Sequence, residues 1–234
     1  MSGLVQDLRY GLRLLGRNPG TTAVAVLSLA LAIGPNSMLF SVVDRVFLRP
    51  TTVDGIENVY AVHIKTTQAN VYRNLTFADL PQYESALDGL ADCIAASGHA
   101  AFLGGSAGAP EVIGQSAVSG NYFAVFGSHA ALGRTLVESD QRYEGAPPVY
   151  LGNSLWQRRF SSDPDIVGKN IIISFQPYRV VGVAPPDYRL PMQHLIPADI
   201  WTPLTAEDPR SRGRLILDLT IRLRPGVHRE QAEA

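Results

Sequence analysis

Between Arg17 and Asp44 the chain carries no Asp, Glu, Lys, Arg or His. Those 26 residues, 18 to 43, would reach about 39 Å as a helix at ~1.5 Å per residue. That exceeds the ~30 Å hydrocarbon layer of a bilayer. The stretch predicts one transmembrane helix, centred on Thr21–Val43 and extending within residues 21–48. It also predicts a separate domain of mixed α and β structure over 51–234.

Within the span, Thr22 to Ile33 is continuously apolar or small, and Gly34-Pro35-Asn36-Ser37 interrupts it. Pro35 lacks a backbone donor and crowds the carbonyl of Leu31, so a kink is expected there. Asn36 and Ser37 fall where lipid offers them no partner. Ala30 and Gly34 form a small-xxx-small pair, the spacing that lets a second helix approach closely in a membrane. The competing reading is a cleaved signal peptide, with Arg13 and Arg17 as its basic region and Ala30-Leu31-Ala32 as its cleavage site. Against it, apolar residues continue through Phe40, Val42, Val43, Val46, Phe47 and Leu48.

Upstream, in residues 1–20, Leu4, Leu8, Leu12 and Leu15 with Val5 share one arc of a helical wheel, and Gln6, Arg9, Arg13 and Arg17 share another. This is the pattern of an interfacial amphipathic helix. Its basic face, Arg9, Arg13 and Arg17, suits anionic lipid on the cytoplasmic side, so the N-terminus is expected inside and the large domain outside.

The domain itself reads as an ordinary globular sequence, since 18% of the chain is charged and 46% hydrophobic. The sequence after Arg49 is slightly acidic and carries no footprint for a phosphate backbone, so nucleic acid is not an expected partner. Cys93 is the single cysteine and cannot form an internal disulfide. Strands are predicted over 58–65 (buried on both faces), 91–103, 111–118, 148–152 and 215–224. A hairpin joins 170–174 to 178–183 around Phe175-Gln176-Pro177. Helices are predicted from Thr76 or Asp79 to Leu87, over 119–127 with Gly127 as terminator, over 154–160, and from His228 onward. The fold class is α+β.

Several segments resemble the permease subunits of MacB/FtsX-type ABC transporters, specifically their first transmembrane helix and periplasmic core domain. They include Gln6-Asp7-Leu8-Arg9-Tyr10-Gly11-Leu12-Arg13, Asn18-Pro19-Gly20-Thr21, Phe40-Ser41-Val42-Val43-Asp44 and Leu48-Arg49-Pro50. Further along are Ser119-Gly120-Asn121-Tyr122-Phe123, Ala131-Leu132-Gly133-Arg134-Thr135 and Leu155-Trp156-Gln157-Arg158-Arg159-Phe160. Asp163-Pro164, Ile166-Val167-Gly168, Tyr178 to Val183, Ile200 to Leu204 and Arg222 to Val227 complete the series. The resemblance implies a porter-like lobe from 51–127 and 215–234 and an inserted β-rich lobe from 128–214. It also implies a separate ATP-binding subunit, a homo- or hetero-dimer of permeases, and residence in a bacterial inner membrane. Such permeases continue into three more transmembrane helices, so the chain is expected to be a fragment or a truncated member. Pro35 stands where they more often have a small residue.

Chemistry is sparse. No Gly-x-x-x-x-Gly-Lys-Ser/Thr loop is present, so nucleotide hydrolysis has no site in this sequence. His63, His99, His129, His194 and His228 lack metal-ligand spacing. Asp163 and Asp165 read better as a turn than as an acid–base pair. Trp156 to Phe160 is either an aromatic and cationic patch or, the plainer reading, core aromatics with solvated arginines. Arg210, Arg212 and Arg214 would share one face of a strand. No catalytic residue, cofactor or metal is expected. The chain is read as a permease part that couples ATP hydrolysis elsewhere to motion of its outer domain, the alternative being a single-pass or secreted binding module.

Overall fold

The computed structural model of the chain describes residues 13, 15–43, 56–65, 72–73, 75–104, 109–186, 188, 198–205 and 217–232. The chain separates into two compact units, Met1–Pro50 and Thr51–Ala234.

The first unit contains helix α1, Pro19–Val43. Pro19 suits a first helical turn, where its missing N–H costs nothing. The described side chains of α1 are exposed, apart from the half-buried Thr22. Helical conformation continues through Pro35. Asn36, expected to want for a partner in lipid, finds one in its own helix, because its Nδ2 donates to the carbonyl of Ala32 at 2.9 Å. Most of the amphipathic segment, including Arg9, and residues 44–48 of the predicted span lie outside the described residues.

The second unit is built on a nine-stranded sheet. Its strands, in chain order, include β1 (Val59–Val62), β4 (Ala91–Gly104), β5 (Glu111–Val118), β6 (Leu132–Gly133) and β7 (Pro148–Leu151). β8 (Asn170–Ile173), β9 (Gln176–Val183), β10 (Ile200–Pro203) and β11 (Asp218–Leu223) follow. A separate two-stranded ribbon pairs β2 (Ile64–Lys65) with β3 (Tyr72–Arg73). The main order is β1-β11-β4-β5-β10-β7-β9-β6, and β8 bonds to both β4 and β9. The β5–β10 and β7–β9 pairs are parallel and the others antiparallel.

Because β8 bridges β9 back to β4, strands β4, β5, β10, β7, β9 and β8 close into a ring. One core lies within this ring: Leu103, Ile113, Leu151, Ile173, Val180 and Ile200 pack there with Leu155. Leu155 comes from helix α4 (Asn153–Phe160). Nearer the open end of the sheet a second core gathers Leu80 and Leu87 around helix α2 (Leu80–Ala86) with Ala95, Leu219 and Ile221. A third core is aromatic: Tyr122 and Phe123 of helix α3 (Tyr122–Val125) meet Tyr150 and Trp201. The Phe123 and Tyr150 ring centroids lie 4.9 Å apart at 70°, an edge-to-face pair. A short helix α5, Arg229–Ala232, ends the described chain.

Two sequence expectations are corrected. β1 is half-buried, not buried on both faces, because it pairs only with β11 among the described residues. The β8–β9 turn is Ser174-Phe175, both at positive φ (47° and 68°), so Gln176 and Pro177 belong to β9. Phe77–Asp79 is a 3-10 turn that runs into α2, opened by the Thr76 signal, whereas the Asp79 side chain makes no cap bond to α2 and turns back to Thr76. Asp79 Oδ2 there accepts from the Thr76 amide at 2.9 Å and the Thr76 hydroxyl at 2.7 Å.

Candidate functional site

On α1, Ala30 and Gly34 are exposed, and a methyl group added at Gly34 would meet nothing within 4 Å. Their face is therefore open to a second helix. Arg13 and Arg17 are also exposed. Arg9, the third member of the predicted basic face, lies outside the described residues.

In the Thr51–Ala234 unit the signature segments hold the framework together. Ser119 Oγ accepts from the Ala95 amide at 3.1 Å and donates to Asn121 Oδ1 at 2.7 Å, and Asn121 Nδ2 donates to the Cys93 carbonyl at 2.7 Å. This chain of bonds stitches the entry to α3 onto β4. Gly120 between them has no room for a side chain, since a Cβ would lie 2.3 Å from the Cα of Glu138. Arg134 grips Asp140 with two bonds of 2.6 and 2.8 Å. Asp140 is 8% exposed and also accepts from the Val137 amide at 2.9 Å. Burial pushes the Asp140 carboxyl up, but the Arg134 and Val137 hydrogen bonds and the charges of Arg134 and Arg179 outweigh it, leaving its pKa below the usual value. Sequence reasoning passed over Asp140. Its position three residues after Val137, where a carboxylate can cap a turn, was the available signal.

Other candidates have structural partners. Arg158 bonds Glu111 at 2.9 Å and Asp199 at 3.0 Å, and Arg159 reaches Glu111 at 3.2 Å. The arginines of α4 are thus tied to the β5 and β10 ends of the ring, and not merely solvated. Trp156 Nε1 donates to the Asp163 carbonyl at 2.9 Å. Asp163 accepts from the Asp165 amide at 3.0 Å and pairs with Lys169 at 2.6 Å, the arrangement of a turn. The buried Cys93 thiol is pushed up to about 11 by burial, then by the charges of Glu84 and Asp92, so it is protonated at neutral pH. Among the described residues no three His, Cys, Asp or Glu side chains converge as a metal ion would require. His194, Arg210, Arg212 and Arg214 lie outside the described residues. A cleft of about 470 Å³ opens between Phe77, Gln141, Arg142, Tyr143, Glu144 and Leu204. The Thr205 hydroxyl also lines it, and its Arg142 and Glu144 are of opposite sign.

Comparison with known proteins bears on the family and the fold. The family model of the MacB-like periplasmic core domain matches residues 22–234. The macrolide export ATP-binding/permease protein MacB of Escherichia coli K12 is 29% identical over 117 residues, covering 50% of this chain and 18% of that protein. MacB of Shigella dysenteriae matches over the same extent, so the matched region is under a fifth of these relatives' length. The periplasmic region of MacB from Actinobacillus actinomycetemcomitans superposes with a TM-score of 0.57 at 19% identity, covering 77% of this chain and 83% of that one. The extracellular domain of the noncanonic ABC-type transporter YknZ from Gram-positive bacteria gives 0.57 at 14% identity, over 75% and 88%. At such identities these structures share the fold. With the family model matching nearly the whole sequence, the chain belongs to the family of MacB-like periplasmic core domains.

Proposed function

We propose that this chain is the membrane-anchored, extracytoplasmic part of an ABC transporter permease. In this reading α1 crosses the bacterial inner membrane, Arg9, Arg13 and Arg17 face the cytoplasm, and the Thr51–Ala234 domain is moved by ATP hydrolysis in a separate ATP-binding subunit. The chain acts mechanically and is not itself an enzyme. The observation that carries the reading is the continuous sheet. β4 runs from the open end, where Ala91 to Ala96 pair with β11, into the closed ring, where Ala96 to Gly104 pair with β5 and β8, so a displacement applied at one core is delivered to the other through one hydrogen-bonded strand. The open Ala30/Gly34 face suits a second permease helix, which fits a dimer of permeases. The name of the matched relatives, macrolide export, makes efflux the direction proposed here.

The test is co-purification. Expressed in its bacterial host and extracted in mild detergent, the tagged chain should bring down an ABC-type ATP-binding subunit. Changing Arg9, Arg13 and Arg17 together to Glu should cut that recovery several-fold. Purification of the intact chain from membranes with no ATP-binding protein would overturn the proposal.

A further inference from the structure

Leu15, Gly16 and Arg17 are helical, Asn18 is not, and α1 starts at Pro19. In an unbroken helix the Leu15 carbonyl would accept from the amide of residue 19, which proline lacks. The Thr22 hydroxyl takes that place, donating to the Leu15 carbonyl at 2.8 Å. Threonine in a helix ordinarily bonds the carbonyl three or four residues back. Here it reaches seven back. Residues seven apart in a straight helix are separated by about 10.5 Å along the axis, too far for a threonine side chain to span. The bond therefore requires the chain to fold toward this face at Asn18. The new helix is closed off at the same point, since the Thr22 amide and the Thr21 hydroxyl both donate to the Asn18 carbonyl at 3.1 Å. Thr22 is also the half-buried side chain among the exposed ones of α1.

We infer that Thr22 is a strap across an elbow at Asn18-Pro19, fixing the angle between the basic N-terminal segment and the apolar helix. With the strap closed, a push on the segment bearing Arg13 and Arg17 tilts α1. With it open, the push is spent in a free joint. The mechanical consequence rests on the reading of α1 as a membrane span, but the strap does not.

The test uses the full chain in lipid nanodiscs, with Cys93→Ala as background and nitroxide labels at Arg13→Cys and Ile33→Cys. These sites would be about 30 Å apart on a straight helix at ~1.5 Å per residue. Pulsed electron paramagnetic resonance should give one narrow distribution at a shorter distance. Thr22→Val should widen it about two-fold or more, and Thr22→Ser, which keeps the hydroxyl, should leave it unchanged. Pro19→Ala restores the N–H, so the distance should lengthen toward the straight value, and Thr22→Val should then have no effect. A narrow distribution in Thr22→Val, a widened one in Thr22→Ser, or an undiminished Thr22→Val effect in the Pro19→Ala background would each overturn the strap. Repeating the measurement in detergent micelles separates its failure from failure of the membrane reading, which reporter fusions test on their own.

Discussion

Arg134 holds Asp140 from both oxygens, and Asp140 in turn fixes the Val137 turn, so one carboxylate joins three points of the backbone. Its native pKa lies below the unfolded value of about 3.9. The stabilisation is therefore complete above pH ~4 and is lost as pH falls through the lower native pKa. Asp140→Asn should cost about 1.5–3 kcal/mol at pH 7, the range for hydrogen bonds to charged groups. It should also flatten the loss of stability below pH ~4; urea titrations at several pH values check both. Gly182 is constrained by space alone. A Cβ there would lie 2.2 Å from the Arg134 carbonyl oxygen and 2.7 Å from that of Leu132. Both obstacles are backbone and cannot rotate away. Gly182→Ala should lose about 3 kcal/mol or leave the domain unfolded, read as a lowered urea midpoint. The sequence marks Gly182 as part of a signature, but the strand it must pass, β6, is some fifty residues earlier.

At the scale of elements, the β8–β9 hairpin carries an avoidable cost. Ser174 and Phe175 both sit at positive φ, as a two-residue type I′ turn demands, yet neither is Gly, Asn or Asp. Phe175 is 93% exposed and contributes no packing to offset this. Replacing the pair by Asn-Gly should stabilise the domain by about 1–2 kcal/mol, from the cost of ~1 kcal/mol per non-glycine residue in this region. A thermal melt should show a rise of a few degrees, and no rise would refute the account. The missing turn signal also explains why the sequence placed the turn a residue or two late. Where a local rule was obeyed, as in the Thr76–Asp79 capping pair or the Gly127 terminator at φ 63°, the boundary stands where the pattern put it, although α3 is the four-residue Tyr122–Val125 and not the whole of 119–127.

For the whole molecule, orientation is the decisive property. Arg13 and Arg17 flank one end of an uncharged helix of 25 residues, and positive charge is retained on the cytoplasmic side. Alkaline phosphatase fused after Ala234 should be active in cells, and a reporter that matures only in the cytoplasm should be dark there. The opposite pattern would reverse the topology proposed for the outer domain.

What could be read from the residues alone was whatever depends on near neighbours. An uncharged run of 26 residues, caps three residues apart and alternating strand faces are each settled by residues that are close in sequence. The order of strands was not legible, because periodicity tells which face of a strand is buried and not which strand will cover it. Closure of the ring joins Leu103 to Ile173, 70 residues on, and β10 lies parallel to β5 across a comparable gap. The arginines of α4 show the same division. Their charge suggested solvent, yet the folded chain brings Glu111 and Asp199 to them from strands remote in sequence. Such contacts exist only once the sheet has formed, since loop closure over these distances is repaid by the packed core and not by any local preference.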